Sequence, residues 1–226
     1  MILKHFFNTL SYLLHPILIP LLGLYFLFSI DTLPLSYNKL DALCYFPFEL
    51  KLFLYIIIGI LTVLAPLLSL LIMYSSKMIS SLKMEKREER TYPLILGCLY
   101  YILAYIYIRR QIPLDFVHPA LFGFLFGTVL VFVVILFVNF FVKISVHAAA
   151  IFGLCGAIIG YSQTQLPLQL NSTPTNLYLI MYLLVLAGLI TAGRLYVKAH
   201  TLNEILLGSF VGFLVLYVSV KFGVFI

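Results

Sequence analysis

The sequence predicts an all-α fold, a polytopic helical membrane bundle of six or seven transmembrane helices. Two observations carry that prediction. Of the 226 residues, 63% are hydrophobic and only 10% charged, and the mean hydropathy is +1.13. A water-soluble domain has too little core to hide so much apolar side chain. The apolar residues also fall in long unbroken runs, without the alternation that a membrane β-barrel strand requires.

A helix needs about 20 apolar residues to cross the hydrocarbon core, within a range of about 17–25. Seven runs approach or meet that length, at roughly 12–30, 52–74, 93–108, 116–142, 148–161, 177–192 and 205–220. The first follows Lys4, contains His15-Pro16 and Pro20, and shows no small-residue cleavage site. It is expected to be a retained span rather than a cleaved signal. A loop with Pro34, Asn38, Asp41 and Pro47 separates it from the second. The third is short, rich in tyrosine and closed by Arg109-Arg110. The fifth is short and rich in Ala and Gly, which predicts tight packing inside the bundle. A polar loop with Pro167 and Pro174 precedes the sixth. The expected organisation is a single integral-membrane domain over 1–226, with two N-terminal spans in 1–75.

The net charge of +6 points to anionic headgroups or a phosphate-bearing substrate. No basic tail or nucleic-acid-binding motif accompanies it, so nucleic acid is not an expected partner. Cys44, Cys98 and Cys155 are scattered in or beside apolar runs. They have neither metal-ligand spacing nor the pattern of a disulfide framework.

The chain is organised around the polar stretch 193–208, which holds Arg194, Lys198, His200 and Glu204 between two apolar runs. Polar clusters at span ends are expensive, and the reading here is that His200 is a nucleophile served by phosphate-binding cations. Parity supports a shared site. Two runs separate the Lys83–Arg90 segment from Lys143–His147, and two more separate His147 from Arg194–Glu204. If each run spans once, all three segments lie on one membrane face. That face is rich in Lys and Arg, which the positive-inside rule assigns to the cytoplasm. The rule is discounted here, because several of those cations have a catalytic explanation.

The segment from Lys83 to Arg90 contains four cations and three glutamates. At about 100° per residue, Lys83, Lys86, Arg87 and Arg90 share one helical face, and the glutamates Glu85, Glu88 and Glu89 take the other. The i,i+4 pairs are like-charged, each unfavourable by roughly 0.2–0.5 kcal/mol. A helix so arranged wants an external anion, and Arg and Lys suit phosphate. The plain alternative is a juxtamembrane charge run.

His147 opens the small-residue run. It reads either as an interfacial or packed histidine, or as a general acid near a helix N-terminus, with Ser145 donating to a phosphate oxygen. Glu204 lies four residues after His200, on the same helical face, where a carboxylate fixes the imidazole tautomer. Thr201-Leu-Asn-Glu204 also reads as a capping box, in which Glu204 satisfies the Thr201 backbone N–H. Arg194 and Lys198 each have a snorkelling alternative. His5, His15 and His118 are assigned no chemistry; His15-Pro16 and His118-Pro119 read as span starts.

Three segments together resemble the type 2 phosphatidic acid phosphatase superfamily, which also includes vanadium haloperoxidases and bacterial acid phosphatases. The first family motif is Lys, six residues, then Arg-Pro. Lys83 and Arg90 keep the spacing, but Thr91 follows and the proline is Pro93. The second, Pro-Ser-Gly-His, is Ile144-Ser145-Val146-His147. The third, Ser-Arg, five residues, His, three residues, Asp, is Gly193-Arg194, His200 and Glu204.

The resemblance covers roughly Lys83 to Gly208 plus the closing span. It implies a phosphatase core in 76–226. It also implies attack by His200 on phosphorus to give a phosphohistidine, protonation of the leaving alkoxide by His147, and orientation of His200 by Glu204. Lys83, Arg90, Ser145 and Arg194 would hold the phosphoryl oxygens, with no metal or other cofactor. Phosphoryl transfer is mostly positioning and charge stabilisation, so the scheme is chemically sound.

The expected function is therefore a membrane phosphatase acting on a lipid phosphate ester or pyrophosphate. Phosphatidic acid, phosphatidylglycerol phosphate, an isoprenoid pyrophosphate and lipid A all fit. The expected location is a bacterial inner membrane, with membrane lipids as the surroundings and the face of the active site and the oligomeric state left open. Two rivals are kept. One is an inactive protein of the same fold that binds anionic lipid, favoured by the lost motif Pro and Gly. The other is a small transporter with a buried His/Arg pathway.

Overall fold

Each apolar run becomes a helix because its backbone N–H and C=O groups have no other partners in lipid. The computed structural model describes residues 2–30, 42–81, 88–164 and 174–224. Its helices are α1 (Ile2–Leu13), α2 (Ile19–Ser29), α3 (Phe48–Ile58), α4 (Ala65–Ser75), α5 (Thr91–Gln111), α6 (Pro119–Asn139), α7 (Val146–Thr164), α8 (Pro174–Tyr196) and α9 (Leu202–Lys221). They make seven helical stretches long and apolar enough to cross a membrane, including Leu3–Ser29 and Phe48–Ser75. The protein is an all-helical integral membrane bundle. Many of its exposed side chains are large and apolar, among them Ile72, Tyr182 and Phe210.

Two spans are broken. The first starts near the N-terminus, earlier than the apolar run implied. It breaks at His15-Pro16, where His15 Nδ1 accepts a hydrogen bond from the Ile17 backbone N–H at 3.3 Å. The second widens into a π-helical segment, Gly59–Leu64, just before Pro66. A proline lacks the N–H that an α-helix would use there, and a π-bulge accommodates the loss.

The core sits around α7, the most buried span, as its small residues predicted. Its contact with α9 is the most extensive in the fold. Gly208 and Gly212 of α9, spaced by three residues, let the backbones approach. A Cβ at Gly208 would stand 2.5 Å from the Ser145 carbonyl oxygen, and one at Gly212 would run into the Ala149 backbone. Small residues at such spacing replace the hydrophobic drive that lipid does not provide.

The alternation of spans brings the N-terminus of α5, the α6–α7 loop and the α8–α9 turn to one end of the bundle. That is the shared face expected from parity.

Candidate active site

The α8–α9 turn sets the position of two site residues. The Ala199 N–H donates to the Arg194 carbonyl at 3.0 Å, and the Lys198 N–H to the Leu195 carbonyl at 2.9 Å. This is a Schellman-type helix end, with Lys198 at φ 56 in the left-handed position. It holds Arg194 in the last turn of α8 and reverses the chain so that His200 points back into the bundle. His200 is only 8% exposed.

His200 Nδ1 lies 2.6 Å from Glu204 Oε2. A carboxylate accepts and does not donate, so Nδ1 carries the proton and Nε2 keeps its lone pair. The cap is made by another atom: Thr201 Oγ1 accepts from the Glu204 backbone N–H at 3.4 Å. The capping box is thus half formed, and the Glu204 carboxylate goes to the histidine.

His200 is set between one carboxylate and three cations. Burial pushes its pKa down, the Glu204 hydrogen bond pushes it up, and Arg194, Arg90 and Lys143 push it down, to about 4. The imidazole is therefore neutral at neutral pH. Arg90, at the N-cap of α5, is also depressed by burial and supported by Glu204. Arg194 is half-buried, and its Nε has no hydrogen-bond partner among the described residues.

Ser145 is fully buried at the N-cap of α7. Its N–H donates to the Glu204 carbonyl at 3.2 Å, and its Oγ accepts from the Ala148 N–H at 3.4 Å. It ties the second segment to the third, and its hydroxyl proton is not used in either bond. His147 follows in the first turn of α7, with Arg194, His15, the Ser11 backbone and His200 as its electrostatic neighbours. Five of the seven residues singled out by sequence for phosphate chemistry thus gather around His200 itself or one another: Arg90, Arg194, His147, Ser145 and Glu204. Lys83 and the rest of its helical face, Lys86 and Arg87, lie outside the described residues.

Two neighbours of this cluster were missed. Lys143 acts on His200 and donates from Nζ to the Ala199 carbonyl at 2.9 Å, bracing the turn. His15, set aside as a span start, does cap a turn, but its ring also stands 5.4 Å from that of His147, at 81°. A signal was present in the sequence. Asn8, Ser11 and His15 fall at i, i+3 and i+7 and turn inward, while Leu3, Phe6 and Leu13 are exposed.

The chain's comparison with known families bears out the resemblance over the second and third motif segments, and the Lys83–Arg90 segment lies outside the match. Residues 137–225 match the family described as the PAP2 superfamily. No curated protein and no solved structure matches the chain.

Proposed function

We propose that this PAP2-type membrane protein hydrolyses a phosphomonoester or pyrophosphate of a lipid through a phosphohistidine. The observation that carries the reading is the His200–Glu204 pair at 2.6 Å, its imidazole buried, with Arg90 and Arg194 acting on the same imidazole. A neutral, oriented histidine beside two guanidinium groups suits attack on an anionic phosphorus.

In the first step His200 Nε2 forms a bond to phosphorus as the bond from phosphorus to the lipid oxygen breaks. His147 gives its proton to the departing oxygen. The Nδ1 proton stays on His200, where Glu204 stabilises the positive charge. Arg90 and Arg194 neutralise the equatorial oxygens, and Lys83 and the Ser145 hydroxyl are assigned to the same group. In the second step water attacks phosphorus and passes a proton to His147, the P–N bond breaks, and inorganic phosphate leaves. The cycle uses no metal. A lipid substrate is favoured by the position of the site, at the ends of helices whose outer surfaces are apolar.

The test is phosphate release from dioleoyl phosphatidic acid in detergent micelles, with and without EDTA and vanadate. Wild type should turn over in EDTA and be inhibited by vanadate. His200→Ala should fall to background, and His147→Ala by about 10²–10⁴-fold. Equal rates for His200→Ala and wild type would overturn the reading. Absolute dependence on Mg²⁺ would overturn the metal-free scheme. Binding of anionic lipid without turnover would leave the inactive lipid-binding protein as the better account.

A further inference from the structure

The break in the first span gives His15 two contacts that no other histidine combines among the described residues. Its Nδ1 accepts the Ile17 N–H at 3.3 Å, and its ring meets His147 edge to face, with centroids 5.4 Å apart. The same His-Pro arrangement recurs at His118, whose Nδ1 accepts the Ala120 N–H at 3.2 Å. There the ring neighbours include Phe46 and Tyr161. Capping alone therefore explains a histidine before proline at both span starts, but not the placement of His15 on a second imidazole.

The backbone bond also settles the tautomer. With Nδ1 occupied as an acceptor, a neutral His15 carries its proton on Nε2. The ring is half-buried, Arg194 is among its electrostatic neighbours, and the Ser11 backbone of the same segment lies against His147. The first span is thus built into the wall of the site on the His147 side, although it lies outside the matched residues 137–225.

We infer that His15 is a positioning residue for leaving-group protonation, fixing the ring of His147 so that its proton meets the departing oxygen. The inference rests on the proposed phosphatase reading. Proton delivery depends on geometry, and a misplacement of about 1 Å costs about 10²-fold. The effect should scale with how much the leaving group needs a proton. An alkoxide from a lipid phosphate needs one, whereas 4-nitrophenolate leaves without it.

His15→Asn separates this role from capping. Asparagine is among the strongest N-cap residues and keeps an acceptor for the Ile17 N–H, while removing the ring. The expected result is a fall in kcat of about 10–100-fold on dioleoyl phosphatidic acid, with KM little changed. The rate on 4-nitrophenyl phosphate should stay within about 3-fold of wild type, as expected when no general acid is needed. His15→Phe, which keeps a ring against His147 but no acceptor for the Ile17 N–H, should recover much of the rate on dioleoyl phosphatidic acid that His15→Asn loses. Wild-type rates of His15→Asn on both esters would overturn the inference, as would an equal loss on both or a loss in His15→Phe as large as in His15→Asn. Those results leave the phosphatase reading standing whenever wild type is active and His200→Ala is not. If wild type hydrolyses neither ester, the reading and the inference fall together.

Discussion

Glu204 Oε2 sits 2.6 Å from His200 Nδ1, one helical turn along the start of α9. The backbone on either side of that contact is fixed. The Ser145 N–H binds the Glu204 carbonyl, and Thr201 caps the Glu204 N–H. The carboxylate therefore cannot move toward the histidine to recover a lost contact. Glu204→Asp, although it supplies the acid of the motif that this segment resembles, retracts the carboxylate by about 1.5 Å, roughly one carbon–carbon bond. It should lower kcat by about 10-fold or more. Glu204→Gln introduces a donor and loosens the tautomer, for an expected loss of about 10²–10⁴-fold. Steady-state rates on phosphatidic acid check both, and wild-type activity in Glu204→Gln would remove Glu204 from the mechanism.

The same cluster sets a pH dependence. Burial and the nearby cations hold His200 at about 4, below its ordinary 6.5. The imidazole therefore stays neutral through the range in which an ordinary histidine protonates. The acid limb of kcat/KM assigned to His200 should lie near 4. Lys143→Gln removes one of the depressing charges and should move that limb upward.

The stability sign follows from the same shift. The unfolded chain takes up this proton before the folded one does. The contribution of His200 is therefore fully present above about 6.5 and is lost as pH falls through about 4. His200→Gln should flatten the acid side of a melting-temperature profile.

The spans were legible because the chain has too much apolar surface to fold any other way. The polar segments were legible because charge at the end of an apolar helix demands a partner. Glu204 was ambiguous for a reason of distance. One sequence spacing serves both a helix cap and an i,i+4 histidine contact, and only the fold shows Thr201 holding the backbone while the carboxylate turns to His200. His15 was hidden more deeply. His15-Pro16 and His118-Pro119 cap their turns alike, and they differ in what the rest of the chain packs against them. Ser145 shows the reverse case. It reads as a phosphate donor by motif, and its oxygen is also the N-cap of α7.

The close approach of α7 and α9 predicts where the site can be broken from a distance. Gly212 faces the Ala149 backbone with no room for a side chain, whereas a Cβ at Gly188 of α8 would meet nothing within 4 Å. Gly212→Leu must force the helices apart and drag Ser145 away from Glu204. It should destabilise by about 1–3 kcal/mol or more. Gly188→Ala gains helix propensity and should stabilise by up to about 1 kcal/mol. Thermal unfolding in detergent, followed by circular dichroism, checks the pair. Equal melting temperatures would show that this interface does not hold the fold together.

Arg194 gives the sharpest prediction about the phosphate. Its Nε is buried without a hydrogen-bond partner among the described residues, and its charge is felt by both His147 and His200. A forked anion such as a phosphoryl group can take two parallel N–H bonds from one guanidinium. Lysine keeps the charge but presents no planar fork. Arg194→Lys should therefore lower kcat/KM by about 10–100-fold, equivalent to about 1.4–2.7 kcal/mol. It should weaken inhibition by inorganic phosphate in parallel, because product and substrate use the same oxygens. Arg194→Gln should lose more on both measures. If Arg194→Lys loses turnover while phosphate inhibition is unchanged, Arg194 orients the histidines and does not hold the phosphoryl group.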